Sequence, residues 1–222
     1  MPSRGLAVSY QIIRWSIRLA MLLLTRTRIY GRELVPRSGG AMVVCNHIAA
    51  LDPVILIAVF PRPLVLMSKI ENARGALKFF MPLVGAFTVR RGKVDREALR
   101  IAQAALDAGR LLCVFPEGTR SGAGLAEAHG GAALLAAKAG VPIIPVAITG
   151  TAKIFSRRFP WVGFPRVTVT IGEPFLLHTL CADSLSSTSR VRRDDREHMT
   201  DEIMRRIAAL LPPEMRGYYN HA

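Results

Sequence analysis

Residues 41–52 read AMVVCNHIAALD: five apolar residues, a short polar turn and the start of a second apolar segment. The first five, Ala41–Cys45, are typical of a buried strand, since no polar position interrupts the run. Asp52 followed by Pro53 predicts that a helix begins here, with Asp52 as its N-cap and the proline at the first helical position. A strand that turns directly into a helix is a building unit of α/β domains.

The rest of the chain repeats this alternation. Further short apolar runs predict strands over residues 64–68, 86–89, 111–115, 143–148 and 167–171. Periodicity, caps and helix breakers predict helices over residues 52–60, 95–108, 132–139 and 200–211. The expected fold is therefore α/β, with a central, largely parallel or mixed sheet flanked by helices. Side chains that act together should cluster at the carboxyl ends of the strands.

This pattern divides the chain into three segments. Residues 1–30 are expected to form an N-terminal amphipathic, membrane-associating helix, and residues 31–177 the α/β domain. In residues 178–196 serine, arginine and aspartate crowd together without periodicity, which predicts a surface loop. Residues 178–222 as a whole are expected to supply this loop and a C-terminal helix that completes the domain.

The composition argues against several classes of protein. Half of the 222 residues are hydrophobic, 21% are charged, and the formal net charge is +14. A disordered chain would be less apolar, and a nucleic-acid-binding domain would usually be more polar, so no nucleic-acid partner is expected. An apolar chain with excess arginine suits the surface of an anionic membrane. Three widely spaced cysteines without a C-x-x-C pair argue against a disulfide framework or a zinc site, and they fit a reducing intracellular compartment.

The most apolar stretch is residues 6–24, LAVSYQIIRWSIRLAMLLL. No small-residue cleavage site follows it, which argues against a signal peptide. It has the length of a spanning helix, yet Arg14 and Arg18 fall inside it, and each would cost roughly 2.5–3.5 kcal/mol near a bilayer centre. The spacing of Arg4, Gln11, Arg14 and Arg18 instead favours an amphipathic helix in the membrane plane, with its arginines on lipid phosphates. A helix packed on the protein's own core is a third interpretation.

His47 is the histidine best placed for chemistry, because it follows a strand and Asp52 lies five residues further on. A histidine that acts as a directed base needs a partner on its second ring nitrogen, and a carboxylate is the usual one. Five residues along a regular helix would put the pair on different sides, so the turn before the helix must fold them together. The alternative is structural: Asp52 only caps the helix, and His47 is a turn residue.

Three further segments carry candidate functions. Residues 115–121, FPEGTRS, follow a strand and offer hydroxyls, a glycine and the guanidinium of Arg120 for a phosphate, with Glu117 placed to orient that guanidinium. Residues 85–93 deliver adjacent cations at the end of a strand, and residues 141–146, VPIIPV, form a proline-stiffened strand entry. Each also has a plain interpretation: a polar turn with a local ion pair, a solvated turn and a stretch of core, respectively.

Taken in order, these four blocks resemble the glycerolipid acyltransferases, and in particular the PlsC-type 1-acylglycerol-3-phosphate acyltransferases. That family is marked by N-H-x4-D, G-x-I-F-I-D-R-like, E-G-T-R-S and V-P-I-x-P-V blocks. The corresponding segments here are residues 46–52, 85–91, 117–121 and 141–146. The second block departs from the pattern, since Thr88 stands where the family often has Phe and Arg90 where it often has Asp. This departure leaves the identity of the acceptor open.

The resemblance implies an enzyme that moves a fatty acyl group from acyl-CoA or acyl-carrier protein to the free hydroxyl of lysophosphatidic acid, giving phosphatidic acid in phospholipid biosynthesis. His47 would be the general base and Asp52 its partner. The residues implied in binding the acceptor phosphate are Arg91, Glu117, Gly118, Thr119 and Arg120. Those implied in walling the acyl-donor cleft are Val141, Pro142, Ile143 and Pro145. Neither a metal nor a cofactor is implied, because a thioester is already activated and the imidazole supplies the base.

The implied partners are a lysophospholipid, an acyl thioester and a membrane surface, and the implied location is the cytoplasmic face of a membrane, with peripheral rather than spanning attachment. Residues 153–166, KIFSRRFPWVGFPR, interleave arginine with aromatic side chains and are interpreted as a second membrane or substrate contact, or as an ordinary loop. Stacking of single-stranded nucleic acid on these side chains is a third interpretation. The same chemistry on another lyso-lipid acceptor is one alternative function. A non-catalytic basic membrane-binding domain, in which His47 and Asp52 are structural, is another.

Overall fold

The computed structural model describes residues 4–69, 85–89, 95–122, 124–154, 164–177 and 193–220. Within these residues seven strands form one sheet: β1 (Arg26–Tyr30), β2 (Ala41–Cys45), β3 (Leu64–Lys69), β4 (Ala86–Val89), β5 (Leu111–Val114), β6 (Ile143–Thr149) and β7 (Arg166–Ile171). The α-helices of the same residues are α1 (Arg4–Leu24), α2 (Asp52–Val59), α3 (Arg96–Asp107), α4 (Gly131–Ala139) and α5 (Arg193–Ala209).

The strand order across the sheet is β1-β7-β6-β2-β5-β3-β4. Strand β2 lies at the centre, parallel to β5 on one side and to β6 on the other. The pair β6–β7 is antiparallel, so β1 and β7 run opposite to the other strands. This confirms the expected α/β fold with a mixed, largely parallel sheet. The carboxyl ends of β2, β5 and β6, at Cys45, Val114 and Thr149, therefore share one edge with the starts of β1 and β7, and we call it the upper edge.

Alternate side chains of the strands enter two separate cores, because successive residues of a strand point to opposite faces of the sheet. Val43 and Cys45 pack in the core that includes α1 and α2. Met42 and Val44 pack in the core that includes α3, α4 and α5. Strands β2 and β5 are apolar at every position because helices cover both faces of the sheet there.

Helix α1 turns Arg14 and Arg18 towards the protein, so the expected orientation of this helix is wrong. Arg14 is buried and donates to the backbone oxygen of Phe60, and Arg18 donates through Nε to the oxygen of Ala58 at 2.7 Å. These carbonyls lie at the C-terminal end of α2, where free carbonyl groups and the helix dipole favour a cation. The outward side of α1 is apolar instead. Its large side chains that are more than half exposed, here called the α1 stripe, are Val8, Ile12, Trp15, Leu19, Leu22 and Leu23.

The inward side of α1 belongs to the core of the protein, as the third interpretation of this segment holds. The Tyr10 hydroxyl accepts a hydrogen bond from the backbone N–H of Leu64 at 3.1 Å, and burial raises the pKa of Tyr10. Ile17 and Met21 pack against the same core as α2. Across the described residues, no helix combines the length and the apolarity needed to cross a bilayer.

Most other elements begin and end within two residues of their predicted limits. Strand β1 is not predicted, because its sequence RTRIY is mostly polar and lies exposed at the sheet edge. Helix α5 begins at Arg193 and not at residue 200, so the predicted loop is wrong for residues 193–196. Two aspartates in the first turn favour this earlier start, since a helix N-terminus attracts negative charge. Residues 155–163 and 178–192, which include most of the arginine-aromatic segment and of the predicted loop, lie outside the described residues.

Candidate active site

Two polar loops meet at the upper edge because the strands that carry them are parallel neighbours. Residues 46–51 leave the end of β2, and residues 115–121 leave the end of β5, which is bonded to β2. The loops are also bonded to each other, since the backbone N–H of Ser121 donates to the carbonyl of His47 at 2.8 Å. The first and third sequence blocks therefore form one site, although about 70 residues separate them in the chain.

His47 and Asp52 form a hydrogen-bonded pair. The distance from His47 Nδ1 to Asp52 Oδ2 is 2.9 Å, and the two side chains are 16% and 0% exposed, respectively. The imidazole stacks on the ring of Phe115, with 4.4 Å between the ring centroids. Because Nδ1 faces the carboxylate, Nε2 is the ring nitrogen left to take a proton. This is the arrangement that a directed general base requires.

The Asp52 carboxylate accepts several hydrogen bonds besides the one from His47. Its Oδ2 atom also accepts from the backbone N–H groups of Ile48 and Ala49, at 2.7 and 2.8 Å. Asp52 is the first residue of α2 and not its N-cap, which is Leu51, so that prediction is wrong. The carboxylate instead holds the turn before the helix closed. A fully buried carboxylate needs this many donors, because an unpaired charge there would be costly.

Thr151 is a site residue that is not predicted from the sequence. Its hydroxyl donates to Asp52 Oδ1 at 2.5 Å, and its side chain is almost fully buried. Thr151 opens a short 3₁₀-helix directly after β6, and Gly150 before it adopts the left-handed φ of 82° that the turn requires. The signal that the sequence offers is its place just after the predicted strand over residues 143–148.

Glu117 links the loop over residues 115–121 to the loop over residues 46–51 by a hydrogen bond. One carboxylate oxygen, Oε1, accepts from the backbone N–H of His47 at 2.9 Å. The other, Oε2, accepts from the Ser121 hydroxyl and from the backbone N–H of Ala126. Among the described residues no ion pair joins Glu117 to Arg120, so the expected orienting role towards that guanidinium is wrong. Glu117 is buried and holds the backbone around His47.

The remaining residues implied in phosphate binding occupy different environments. Gly118 is buried with a left-handed φ of 63°, a conformation that a side chain would strain. Thr119 and Arg120 are exposed, on the loop whose next residue, Ser121, is bonded through its backbone to His47. Arg91 lies outside the described residues.

The residues implied in the acyl-donor cleft are not brought to His47. Val141 and Pro142 precede β6, at the edge of the sheet opposite to the upper edge. Ile143 and Pro145 lie inside that strand and are buried, with Ile143 in the core of α3, α4 and α5. Their positions match the plain interpretation of this segment as a stretch of core.

The described cysteines are unsuited to nucleophilic chemistry. Cys45 and Cys113 are both fully buried. Burial raises the pKa of Cys113 to about 12 and that of Cys45 well above its usual value, so both remain neutral thiols at neutral pH. Within the described residues, no group of three or more His, Cys, Asp or Glu side chains is arranged to hold a metal ion.

Known proteins share this region of the chain. Residues 26–149 match the sequence model of the family described as Acyltransferase. The chain belongs to the acyltransferase family. The matched region contains His47, Asp52 and the loop over residues 115–121, so the candidate site of this acyltransferase-family protein lies inside the part that defines its family.

Individual relatives resemble this acyltransferase-family protein over part of their length. It is 30% identical to a 1-acyl-sn-glycerol-3-phosphate acyltransferase of Borreliella burgdorferi, over 67% of the chain and 61% of the relative. It is 34% identical to a lyso-ornithine lipid O-acyltransferase of Pseudomonas aeruginosa, over 61% of the chain and 52% of the relative. The matches thus span between half and two thirds of these two relatives. A crystal structure of the 1-acyl-sn-glycerophosphate (LPA) acyltransferase PlsC from Thermotoga maritima has the same fold, with a TM-score of 0.68 at 23% identity over 95% of this chain and 83% of that one.

Proposed function

We propose that this protein transfers a fatty acyl group from an acyl thioester to the free hydroxyl of lysophosphatidic acid. The observation that carries the proposal is the 2.9 Å hydrogen bond between His47 Nδ1 and the buried Asp52 carboxylate, at the upper edge of an acyltransferase-family fold. The names of several relatives, which are 1-acyl-sn-glycerol-3-phosphate acyltransferases, support this acceptor.

In the proposed reaction His47 Nε2 takes the proton of the acceptor hydroxyl as that oxygen attacks the thioester carbonyl. The carbon–sulfur bond then breaks, and the departing thiolate receives the proton from the imidazolium. Asp52 stabilises the imidazolium and keeps Nε2 directed at the acceptor. A general base of this kind contributes about 10²–10⁴-fold in rate, so positioning of the two substrates must supply much of the rest.

No side chain of the protein carries the acyl group in this mechanism. Cys45 is a buried neutral thiol, and the Ser121 hydroxyl donates a hydrogen bond to Glu117. Direct transfer between the bound substrates requires only one base, His47. A covalent intermediate would also need an activated nucleophile beside the imidazole.

The exposed Arg120 guanidinium is proposed to hold the phosphate of the acceptor. The loop that carries Arg120 is joined to His47 at its backbone, through Ser121 and Glu117. A phosphate held there keeps the acceptor within reach of the base, and the planar guanidinium orients it as well as binding it. Arg91 is proposed as a second guanidinium for the same phosphate, on the strength of the family pattern.

The membrane surface is proposed as the partner of the α1 stripe, at the cytoplasmic face of the membrane. Six large apolar side chains of one helix side are exposed together, which is unusual on a protein surface that meets only water. The net charge of +14 favours an anionic lipid surface. Such attachment would bring the upper edge close to a lipid acceptor that resides in the bilayer.

The test is an acyl-transfer assay on the detergent-purified protein. Radiolabelled acyl-CoA is incubated with lysophosphatidic acid, with lysophosphatidylcholine and with lyso-ornithine lipid, and two-chain products are separated by thin-layer chromatography. The proposal predicts labelled phosphatidic acid as the main product. Preferred transfer to lyso-ornithine lipid would favour the alternative acceptor, for which the Pseudomonas relative is named. No two-chain product from any acceptor, with acyl-CoA or with acyl-carrier protein as donor, would contradict the enzymatic proposal.

A further inference from the structure

Three arginines and a threonine line a small pocket between the edge strand β1 and its neighbour β7. The pocket has a volume of about 150 Å³ and is lined by Arg26, Arg28, Arg166 and Thr168. The parallel register places Arg26 beside Arg166 and Arg28 beside Thr168. We call this group the arginine pocket.

Nothing in the described part of the chain neutralises the arginine pocket. No carboxylate there lies within ion-pair distance of any of its guanidiniums, and all three arginines are exposed. Like charges on adjacent strand positions repel each other, so the arrangement costs stability unless an anion binds. Guanidinium groups offer the forked donors that a phosphate accepts, and a threonine hydroxyl can add a further donor.

The arginine pocket lies on the upper edge, where the candidate active site also lies. Strand β7 is antiparallel to β6, with Thr168 beside Thr149, so the start of β7 adjoins the turn that carries Thr151. This turn is in close contact with β7, since a Cβ on Gly150 would meet the carbonyl oxygen of Arg166 at 1.9 Å. Two to three strand spacings of about 4.8 Å separate the pocket from β2, which puts it on the order of 12 Å from the end of the strand that precedes His47.

The face of the sheet on which the arginine pocket opens indicates whether it meets the phosphate of a lipid or that of a water-soluble molecule. Val167 and Val169 point into the core that contains α1, so Arg166 and Thr168 point to the other face. The α1 stripe and the arginine pocket therefore lie on opposite faces of the sheet. A membrane bound by α1 would leave the pocket turned towards water.

We propose that the arginine pocket binds the phosphates of an acyl-CoA donor, an inference that rests on the proposed acyl transfer. In acyl-CoA the pantetheine arm separates the thioester from the nucleotide phosphates, so a site for those phosphates must lie away from the base and at the same edge. The nucleotide end of the donor is water-soluble, and the pocket meets it on the side away from the α1 stripe. The pocket thereby favours acyl-CoA over a thioester that lacks the nucleotide phosphates.

The test compares two donors that differ in these phosphates. Steady-state kinetics are measured with dodecanoyl-CoA and with S-dodecanoyl-pantetheine, which lacks the nucleotide phosphates, for the wild type and for Arg26→Gln, Arg166→Gln and the double variant. Each single substitution is expected to raise KM for dodecanoyl-CoA about tenfold and to leave kcat within about twofold. KM for S-dodecanoyl-pantetheine should not change. Arg205→Gln removes the same charge from an exposed position of α5 and serves as the matched control.

Other results would overturn the inference without touching the proposed reaction. Transfer with an unchanged KM for dodecanoyl-CoA, or an equal rise for both donors, shows that the pocket does not bind the donor phosphates. The same conclusion follows if the double variant loses only binding to phosphatidic acid vesicles, or only transfer from acyl-carrier protein. If the wild type transfers no acyl group, binding of adenosine 3′,5′-bisphosphate is measured by calorimetry. If the wild type binds this probe and the double variant does not, the phosphate pocket is upheld independently of the reaction. If both proteins bind it equally, or neither binds it, the phosphate pocket is rejected.

Discussion

Thr151 donates a hydrogen bond to the Asp52 carboxylate at 2.5 Å, across 99 residues of sequence. The opposite carboxylate oxygen accepts from His47 Nδ1, so a hydroxyl from the end of β6 and an imidazole from the end of β2 meet on one buried acid. The threonine contacts the acid and not the base. Its proposed role is therefore positioning: it fixes the carboxylate that in turn fixes the imidazole.

Thr151→Val is expected to lower kcat about tenfold with little change in KM, because the valine keeps the shape of the threonine and removes its hydroxyl. Thr151→Ser should restore most of the rate. Thr149→Val makes the same chemical change at a half-exposed position of β6 and should leave the rate unchanged. A Thr151→Val enzyme with the kcat of the wild type would contradict the positioning role.

Glu117→Gln is expected to lower both the stability of the fold and the rate of transfer. Both carboxylate oxygens accept hydrogen bonds. Glutamine replaces one of these oxygens by an NH2 group, which is a donor and cannot accept the hydrogen bonds that this oxygen receives. Leaving buried donors unpaired costs about 1–3 kcal/mol each, which urea unfolding of the purified variant can measure. Glu127→Gln, on an exposed residue nearby, is the control. Unchanged unfolding and unchanged kcat would show that Glu117 does not hold the two loops together.

Ile12→Ser combined with Leu19→Ser is expected to weaken binding to anionic vesicles tenfold or more while leaving the melting temperature within about 2 °C. Both side chains belong to the exposed α1 stripe, so the fold does not depend on them, and transferring such a side chain out of water contributes about 1.5 kcal/mol or more. Leu99→Ser, on the exposed side of α3, is a matched control that should bind as the wild type does. Deletion of α1 is not a suitable test, because Tyr10 and Ile17 belong to the core. Equal vesicle affinity of the double variant and the wild type would exclude the stripe as the contact.

The fold is largely predictable from the sequence where burial on both faces makes a strand apolar throughout. Ala41–Cys45 is predicted to the residue for this reason. The edge strand Arg26–Tyr30 is not, because its side chains meet water and carry no hydrophobic pattern. The orientation of α1 is predicted wrongly, since periodicity shows that two sides differ but not which one meets the protein. Arg14 and Arg18 point inwards because they donate hydrogen bonds to carbonyl oxygens at the end of α2. No local sequence pattern shows that these acceptors lie beside α1.

The candidate site divides in the same way. The pairing of His47 with Asp52 is local, since a five-residue turn closes it, and the sequence predicts it. The hydrogen bond from Thr151 to Asp52 and that from the His47 backbone to Glu117 depend on which strands are neighbours in the sheet. A single sequence does not contain that order in any local signal, so these two contacts emerge only from the structure.

The value of kcat for His47→Ala, with lysophosphatidic acid as acceptor and acyl-CoA as donor, tests the proposed base most directly. The base assignment predicts a fall of about 10²–10⁴-fold, with a comparable fall for Asp52→Asn and no change for the exposed His129→Ala. A His47→Ala variant that melts as the wild type does and retains kcat within tenfold would contradict the central claim that this imidazole removes the proton of the acceptor.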